Sequence, residues 1–155
     1  MYNFTSLIQA LSEYTGLPLE VNEKTSVYLE YNEFILTLQY RPTNNDIVLF
    51  TPVTDPDKIA NLNETILRNA LRLSYNGEGT NGYFLGIFKE SLIMSTVMSI
   101  KDLTAEDLAT QLVRFANTAV SVSNNLITGS LTYSEPVSSS IGSNSASTPQ
   151  NGLFA

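Results

Sequence analysis

Residues 66–122 combine the patterns of a helix, a glycine-rich turn, two strands and a second, capped helix in one continuous stretch. Apolar residues three and four positions apart predict the helices, and short runs rich in β-branched and aromatic residues predict the strands. The turn between them contains Asn76, Gly77, Gly79, Asn81 and Gly82, residue types that interrupt regular structure. No catalytic motif occurs in this stretch.

The preceding part of the chain predicts a helix followed by three strands. Apolar residues at helical spacing form one stripe near the start of the chain, and Gly16 and Pro18 end that helix. The stripe consists of Phe4, Leu7, Ile8 and Leu11. Residues 25–31, 33–41 and 46–53 alternate apolar and polar side chains around short turns, which predicts a three-stranded antiparallel meander.

The second predicted helix covers residues 57–75 and carries an unusually broad apolar surface. Asp55, Pro56 and Asp57 favour a helix start at this point. One apolar stripe consists of Ile59, Leu62, Ile66, Ala70 and Leu73, and Ala60, Leu67 and Leu71 widen it to the side. Packing against one sheet requires a narrower stripe, so the surplus predicts a partner helix in a dimer. The alternative is burial between the sheet and the C-terminal residues.

The second pair of predicted strands, residues 83–88 and 91–100, forms a hairpin around Lys89 and Glu90. The first of these strands is apolar on both faces, so it is expected to be central or to lie at an interface. Thr104 and Asp107 form a capping-box pattern at the start of the last helix. The apolar stripe of that helix consists of Leu108, Leu112, Phe115 and Ala119.

The length of 155 residues and the 43% hydrophobic content suit one domain, predicted over residues 1–122. Residues 123–155 are expected to be a disordered, low-complexity segment, because ten of the last 35 residues are Ser and Glu135 is the only charged residue among them. The apolar residues Leu153 and Phe154 near its end would either remain free or dock on the domain or on a neighbour.

Charge and residue usage exclude several classes of function. Fifteen acidic and eight basic residues give a net charge of -7, which opposes binding to nucleic acid. The chain has no Cys and no His, so disulfides, thiolate or imidazole metal sites and His-dependent hydrolytic triads are excluded. Neither a signal peptide nor a membrane-spanning apolar run is recognisable. We therefore expect a cytoplasmic protein without membrane insertion, cofactor or metal.

Two local patterns could suggest chemistry but have simpler explanations. Residues 76–82 are rich in glycine yet match no phosphate-binding loop, and no helix start follows them. The acidic pairs are expected to be solvated surface or helix-start residues. These pairs are Glu13 and Glu20, Asp55 and Asp57, and Glu106 and Asp107.

The order of elements and several local sequences resemble the class I chaperones of bacterial type III secretion, the Tir chaperone family. The resemblance covers residues 1–122. It includes the loop Tyr14-Thr15-Gly16-Leu17-Pro18-Leu19, the helical segment Leu67-Arg68-Asn69-Ala70 and the strand Tyr83-Phe84-Leu85-Gly86-Ile87. It ends with Leu103 and the apolar stripe of the last helix.

This resemblance implies an α+β fold of the order α-β-β-β-α-β-β-α, with a twisted antiparallel sheet flanked by helices. It further implies a homodimer that binds the N-terminal segment of one or more secreted effectors without ATP and keeps it extended and soluble, as part of a virulence system. A contact with the secretion ATPase or sorting platform is also implied. The implied candidates for effector binding are Phe4, Leu7, Ile8, Leu11, Val27, Leu29, Leu36 and Leu38. Some of them must instead belong to the core, and alternation alone does not show which face of the strands binds. The implied dimer interface consists of Ile59, Leu62, Ile66, Leu67, Ala70, Leu73 and Phe84.

Two other hypotheses belong to different classes. A YbjN-like regulatory or sensory domain would share the fold and bind a folded protein partner. A small enzyme or ligand-binding domain would have to depend on the acidic pairs and the tyrosines, since the sequence offers no other reactive groups. We therefore expect a protein without enzymatic activity.

Overall fold

The computed structural model describes residues 3–54 and 62–129. They form an α+β fold with the predicted order of elements, which confirms the fold class. The elements are α1 (Phe4–Thr15), β1 (Ser26–Tyr31), β2 (Phe34–Arg41), β3 (Asp46–Pro52), α2 (Glu64–Ser74), β4 (Phe84–Phe88), β5 (Ser91–Ser99) and α3 (Ala105–Thr128). A short 3-10 turn, Tyr75–Gly77, follows α2.

The five strands form one antiparallel sheet in the order β1-β2-β3-β5-β4. β1 and β4 are therefore the two edges of the sheet. The strand predicted over residues 83–88 was expected to be central or at an interface, and the structure rules out the central position. An edge strand presents unpaired backbone groups on one side.

Helix α1 begins after Asn3 and ends at Gly16, where the sequence pattern predicts its end. The side chain of Asn3 accepts a hydrogen bond of 2.8 Å from the backbone N–H of Ser6. Gly16 ends the helix with a φ of 71°, a left-handed conformation that glycine adopts without steric cost. The apolar stripe of the helix faces the sheet, and Phe4 stacks on Tyr40 of β2 with ring centroids 5.2 Å apart.

Helix α2 begins later than predicted. Asn63 has an extended backbone, and its side chain accepts a hydrogen bond of 3.0 Å from the N–H of Ile66, so the helix starts at Glu64. The prediction of one continuous helix over residues 57–75 is therefore wrong, because an Asn cap fixes the start. Ile59 and the predicted start at Asp55 and Pro56 lie outside the described residues.

Helix α3 covers one face of the sheet together with α1. The predicted capping box is confirmed: the hydroxyl of Thr104 accepts from the N–H of Asp107 at 3.1 Å, and the Asp107 carboxylate accepts from the N–H of Thr104 at 3.4 Å. Buried Val122 and Leu126 extend the apolar stripe, and the helix continues past the predicted boundary at residue 122 to Thr128.

Contact between α2 and α3 completes the core. The side-chain amide of Asn69 donates a buried hydrogen bond of 3.1 Å to the carbonyl of Leu126. That carbonyl lies in the last turn of α3, where helical backbone acceptors have no partner within the helix. The hydrogen bond thus fixes α2 against the end of α3.

Candidate protein-binding surfaces

Within residues 3–54 and 62–129, one face of the sheet has no helix over it. Directly opposite residues in an antiparallel pair share a face, so the register assigns every strand residue to one of two sides. Leu38 pairs with Val27 on one side and Leu49 on the other, and all three are fully buried under the helices. The alternate residues form what we call the outer sheet face. Its apolar members are Tyr28, Ile35, Val48, Phe50, Phe84, Phe88, Ile93 and Val97, and the polar residues Ser26, Thr37, Gln39 and Ser95 lie among them.

The outer sheet face is strongly apolar for a surface in contact with water. Tyr28 and Ile35 are 58% and 59% exposed, and Val97 is 48% exposed. Val48, Phe50 and Ile93 are half-buried between them. Contiguous apolar surfaces of this kind mark interaction sites more often than inert surface.

Charged side chains lie at the margin of this face. Arg41 and Asp46 form a two-bonded ion pair at the hairpin between β2 and β3, with both N···O distances 2.7 Å. The Arg41 guanidinium holds the pKa of Asp46 below its usual range, chiefly through these hydrogen bonds. Glu30 on β1 lies on the same face. The middle of the sheet on this side therefore carries no charge, but Glu30, directly opposite Ile35, places a carboxylate beside the exposed residues of β1 and β2.

A second apolar surface lies where α2 adjoins the edge strand β4. Leu67, Leu71 and Tyr75 follow one another at intervals of four residues, and so lie on one side of α2 and the turn after it. Leu71 and Tyr75 are 75% and 63% exposed. On β4, Ile87 is 59% and Phe88 65% exposed. By the register of β4, Ile87 lies on the helix-covered side of the sheet and Phe88 on the opposite side, so we call Leu67, Leu71, Tyr75 and Ile87 the α2–β4 surface.

The predicted effector-binding residues lie mostly in the core. Seven of them are at most 3% exposed: Phe4, Leu7, Ile8, Leu11, Val27, Leu36 and Leu38. Leu29 is half-buried and belongs to the same, helix-covered side. In the protomer these residues lie in the core, because α1 and α3 cover that side of the sheet, and their role in effector binding stays a prediction. A client could contact the seven only if a helix moved away.

The predicted dimer-interface residues divide between core and surface. Ile66, Ala70 and Leu73 are buried within the protomer. Leu62 and Leu67 are half-buried, Phe84 is 66% exposed, and Ile59 lies outside the described residues. The exposed stripe of α2 is therefore the one with Leu67 and Leu71, which widens the apolar surface. The principal stripe is largely buried.

The sequence contained an indication of the outer sheet face, but the strand pattern alone did not separate its residues from those of the core. Ile35 lies between two apolar neighbours in β2, and residues 47–50 of β3 form an unbroken apolar run. Such runs place apolar side chains on both sides of a strand. Leu71 and Tyr75 were the corresponding signal on α2, since they fall outside the stripe that faces the core.

The described residues offer little for catalysis. None of them form a group of three or more Asp or Glu side chains that could hold a metal ion. A shallow groove of about 710 Å³ runs along α3, lined mainly by polar or small side chains such as Asn81, Asn117, Thr118 and Ser121. Within residues 3–54 and 62–129, no helix is both long enough and apolar enough to cross a membrane.

An α+β domain whose exposed apolar surfaces lie on a sheet face and beside an edge strand is a protein-binding scaffold. Residues 6–123 match the model of the Tir chaperone protein (CesT) family, and the chain belongs to that family. The match confirms the family resemblance and does not favour the YbjN-like alternative. No curated protein matches the chain.

Solved structures share this fold. A chain of the crystal structure of the Yersinia pestis type III secretion chaperone SycH, in complex with a stable fragment of YscM2, is 18% identical. The match covers 77% of this chain and 99% of that one, with a TM-score of 0.58. A chain of the ExsC–ExsE complex is 20% identical, with coverage of 77% and 92% and a TM-score of 0.62. A chain of the ExoT–SpcS complex from Pseudomonas aeruginosa is 17% identical, with coverage of 77% and 97% and a TM-score of 0.53.

Proposed function

We propose that this protein is a cytoplasmic chaperone that binds the N-terminal segment of one or more type III secretion effectors and keeps it extended and soluble. The family membership supports the class of function, and similar folds occur in chaperone complexes, including the HopA1–SchA chaperone–effector complex. The observation that carries the proposal for this chain is the uncovered, apolar outer sheet face. Apolar side chains of an unfolded segment would pack there, so binding needs neither ATP nor catalysis.

The free edge of β1 adds a second element to the same binding mode. Among the described residues β1 pairs with β2 alone, and Asn22 bonds both backbone groups of Ser26 at its start, so the row of backbone groups after Ser26 is open to an added strand. An extended client could form hydrogen bonds with this edge while its side chains reach Tyr28 and Ile35. Backbone pairing would provide affinity that depends little on client sequence.

We further propose that two copies associate through the α2–β4 surface. Its exposed residues Leu71, Tyr75 and Ile87 would be covered by the same surface of a second copy, as a two-fold dimer requires. The dimer would present two outer sheet faces to one client. Delivery of the complex to the secretion ATPase or sorting platform belongs to the same proposal.

The test begins with a tagged full-length chain expressed in its native bacterium under secreting conditions, with mass spectrometry of retained proteins. We expect a secreted protein retained through its N-terminal region. The binding of that recombinant segment is then measured with Ile35→Asp and with Ile127→Asp as matched control. Ile127 is 57% exposed, nearly the same fraction as Ile35, but it lies on α3 and not on the sheet.

We expect Ile35→Asp to weaken binding at least tenfold, because a carboxylate would be buried without a partner under the client. Ile127→Asp should bind like the unmodified protein. Equal effects of both variants would show that the outer sheet face is not part of the binding site. Retention of no secreted protein by the unmodified chain would overturn the proposed function itself.

A further inference from the structure

The outer sheet face carries one charge that the fold leaves without a partner. The charged residues of the described strands are Glu30, Arg41 and Asp46, and all three lie on this face. Arg41 and Asp46 pair with each other at 2.7 Å. Within residues 3–54 and 62–129, the Glu30 carboxylate has neither an ion-pair partner nor a hydrogen-bond donor. A client that covers Ile35, directly opposite, would also remove water from this carboxylate, which costs free energy unless the client supplies a positive charge.

The backbone of β1 determines which residues an added strand would pair with. The N–H and the carbonyl of Ser26 both bond to Asn22, at 3.0 and 2.9 Å, on the side away from β2. The carbonyl of the preceding Thr25 instead accepts from a backbone N–H of β2 at 3.0 Å. Backbone groups alternate in direction along a strand, so those of Tyr28 and Glu30 also point to the open edge. An added strand would therefore form its hydrogen bonds with Tyr28 and Glu30.

The side chains of Tyr28 and Glu30 lie side by side on the outer sheet face. Two residues apart, their Cα atoms are separated by about 6.6 Å along the strand. A client residue opposite Glu30 would have its Cβ about 5 Å away, and Tyr28 would be its diagonal neighbour at about 7–8 Å, within reach of a long side chain. Tyr28 is 58% exposed, so its ring is accessible. A carboxylate beside an aromatic ring suits Lys and especially Arg, whose guanidinium pairs with carboxylates and stacks on rings.

Other charges near this edge favour the same kind of side chain. Glu23 precedes β1, and Glu33 lies in the turn that follows it, and both are exposed. Lys24 is the only basic residue within residues 20–40, and it precedes the end of β1 that is distant from Glu30. A surface with this charge attracts a basic segment and opposes an acidic one.

We propose that the edge of β1 selects client segments in which a basic residue lies two positions from an apolar one. The basic side chain pairs with Glu30, and the apolar side chain packs against Tyr28. The spacing of two follows because the client residues opposite Tyr28 and Glu30 are themselves two apart. This inference rests on the proposed function and adds the chemical class of the client segment to it. Glu30 is then a specificity-determining residue, whereas backbone pairing provides the part of the affinity that does not depend on sequence.

The first test needs no known client. The immobilised full-length chain selects binders from a phage library of random peptides. We expect enrichment of Lys or Arg two positions from an apolar residue, and Glu30→Lys should change this preference to Asp or Glu. Glu90→Lys alters the net charge equally but lies in the turn between β4 and β5, next to the opposite edge of the sheet, and should keep the basic preference. Absence of enrichment, or the same preference in all three proteins, would overturn the proposal.

The second test uses the recombinant client segment retained by the tagged chain. Glu30→Gln should weaken its binding about three- to fivefold, and Glu30→Lys about tenfold or more. Replacing the client's basic residue by Glu should restore binding to Glu30→Lys, and Glu90→Lys should bind like the unmodified protein. If Glu30→Lys binds normally while Ile35→Asp binds weakly, the selectivity is wrong and the proposed function stands. Retention of no secreted protein would overturn the proposed function, and basic enrichment in the library would still support a cation site on β1.

Light scattering distinguishes a client from a second copy at this edge. Glu30→Lys should have the same mass as the unmodified protein, because the edge of β1 takes part in client binding and not in self-association. A change of mass in Glu30→Lys but not in Glu90→Lys would assign the edge to a second copy and overturn the proposal.

Discussion

At the scale of single residues, Tyr83 combines a well-packed ring with an unsatisfied hydroxyl. The ring meets Phe115 edge-on at 5.0 Å between centroids. Its buried hydroxyl has no hydrogen-bond partner among the described residues. We expect Tyr83→Phe to leave the free energy of unfolding unchanged or to raise it by about 1 kcal/mol, because it removes an unpaired polar group and keeps the ring. Urea denaturation at neutral pH measures this, and a lower stability would show that the hydroxyl has a partner.

The same residue predicts a dependence on alkaline pH. Burial raises the pKa of Tyr83 above its ordinary value, an effect that Arg114 only partly opposes. The folded state thus favours the neutral hydroxyl. The resulting contribution to the free energy of unfolding is fully present below the unfolded-state pKa of about 10, and it is lost as the pH rises through the folded-state pKa. Above pH about 10, the unmodified protein should lose stability more steeply than Tyr83→Phe. Parallel decline of the two proteins would contradict this.

Gly79 shows why the glycine-rich turn needs glycine at one position for reasons of space. A Cβ atom there would lie 2.8 Å from both the carbonyl oxygen and a side-chain methyl of Leu73, at the end of α2. We expect Gly79→Ala to destabilise the protein by about 1–3 kcal/mol, since the backbone of α2 would have to shift. Gly86→Ala is the control, because nothing lies within 4 Å of the added Cβ. Equal unfolding midpoints for both variants would show that the turn adapts.

At the scale of elements, the α2–β4 surface gives a test of dimerisation that leaves the protomer intact. Leu71 is 75% exposed, so Leu71→Asp should fold normally but leave a carboxylate without a partner in the interface. We expect light scattering to show a dimer for the unmodified protein and a monomer for this variant. Val113→Asp, at an exposed position on α3, should remain a dimer. Ile66→Asp would not make this distinction, because Ile66 is buried within the protomer and its substitution disrupts the fold.

At the scale of the whole molecule, the sequence predicted the order of elements because apolar period and turn residues are local signals. The capping box at Thr104 and the stop at Gly16 were correct for the same reason. The start of α2 was wrong, because an earlier proline and two acids gave a stronger local pattern than Asn63. Local signals thus located elements better than their ends.

The binding surfaces were harder to predict, because burial depends on which side of the sheet the helices cover. Val27 and Leu36 are as apolar as Ile35. The sequence alone does not show that Val27 and Leu36 lie under the helices whereas Ile35 is exposed. The same holds for Leu71 and Leu73, two residues apart on α2 but on opposite sides of it. Strand order and helix placement, which are tertiary properties, decide these cases.

If the α2–β4 surface joins two copies, folding and association are coupled in the whole molecule. Both faces of β4 are largely exposed in the protomer, so a separate copy would leave this edge strand weakly supported. The free energy of unfolding should then rise by about 1.4 kcal/mol for each tenfold increase in protein concentration. This energy is counted per dimer, whose m value is about twice the 1–3 kcal/mol/M of one protomer, so over a hundredfold range the urea midpoint should increase by roughly 0.5–1.4 M. Leu71→Asp should show a midpoint independent of concentration, and the same independence in the unmodified protein would argue for a protomer that is stable alone.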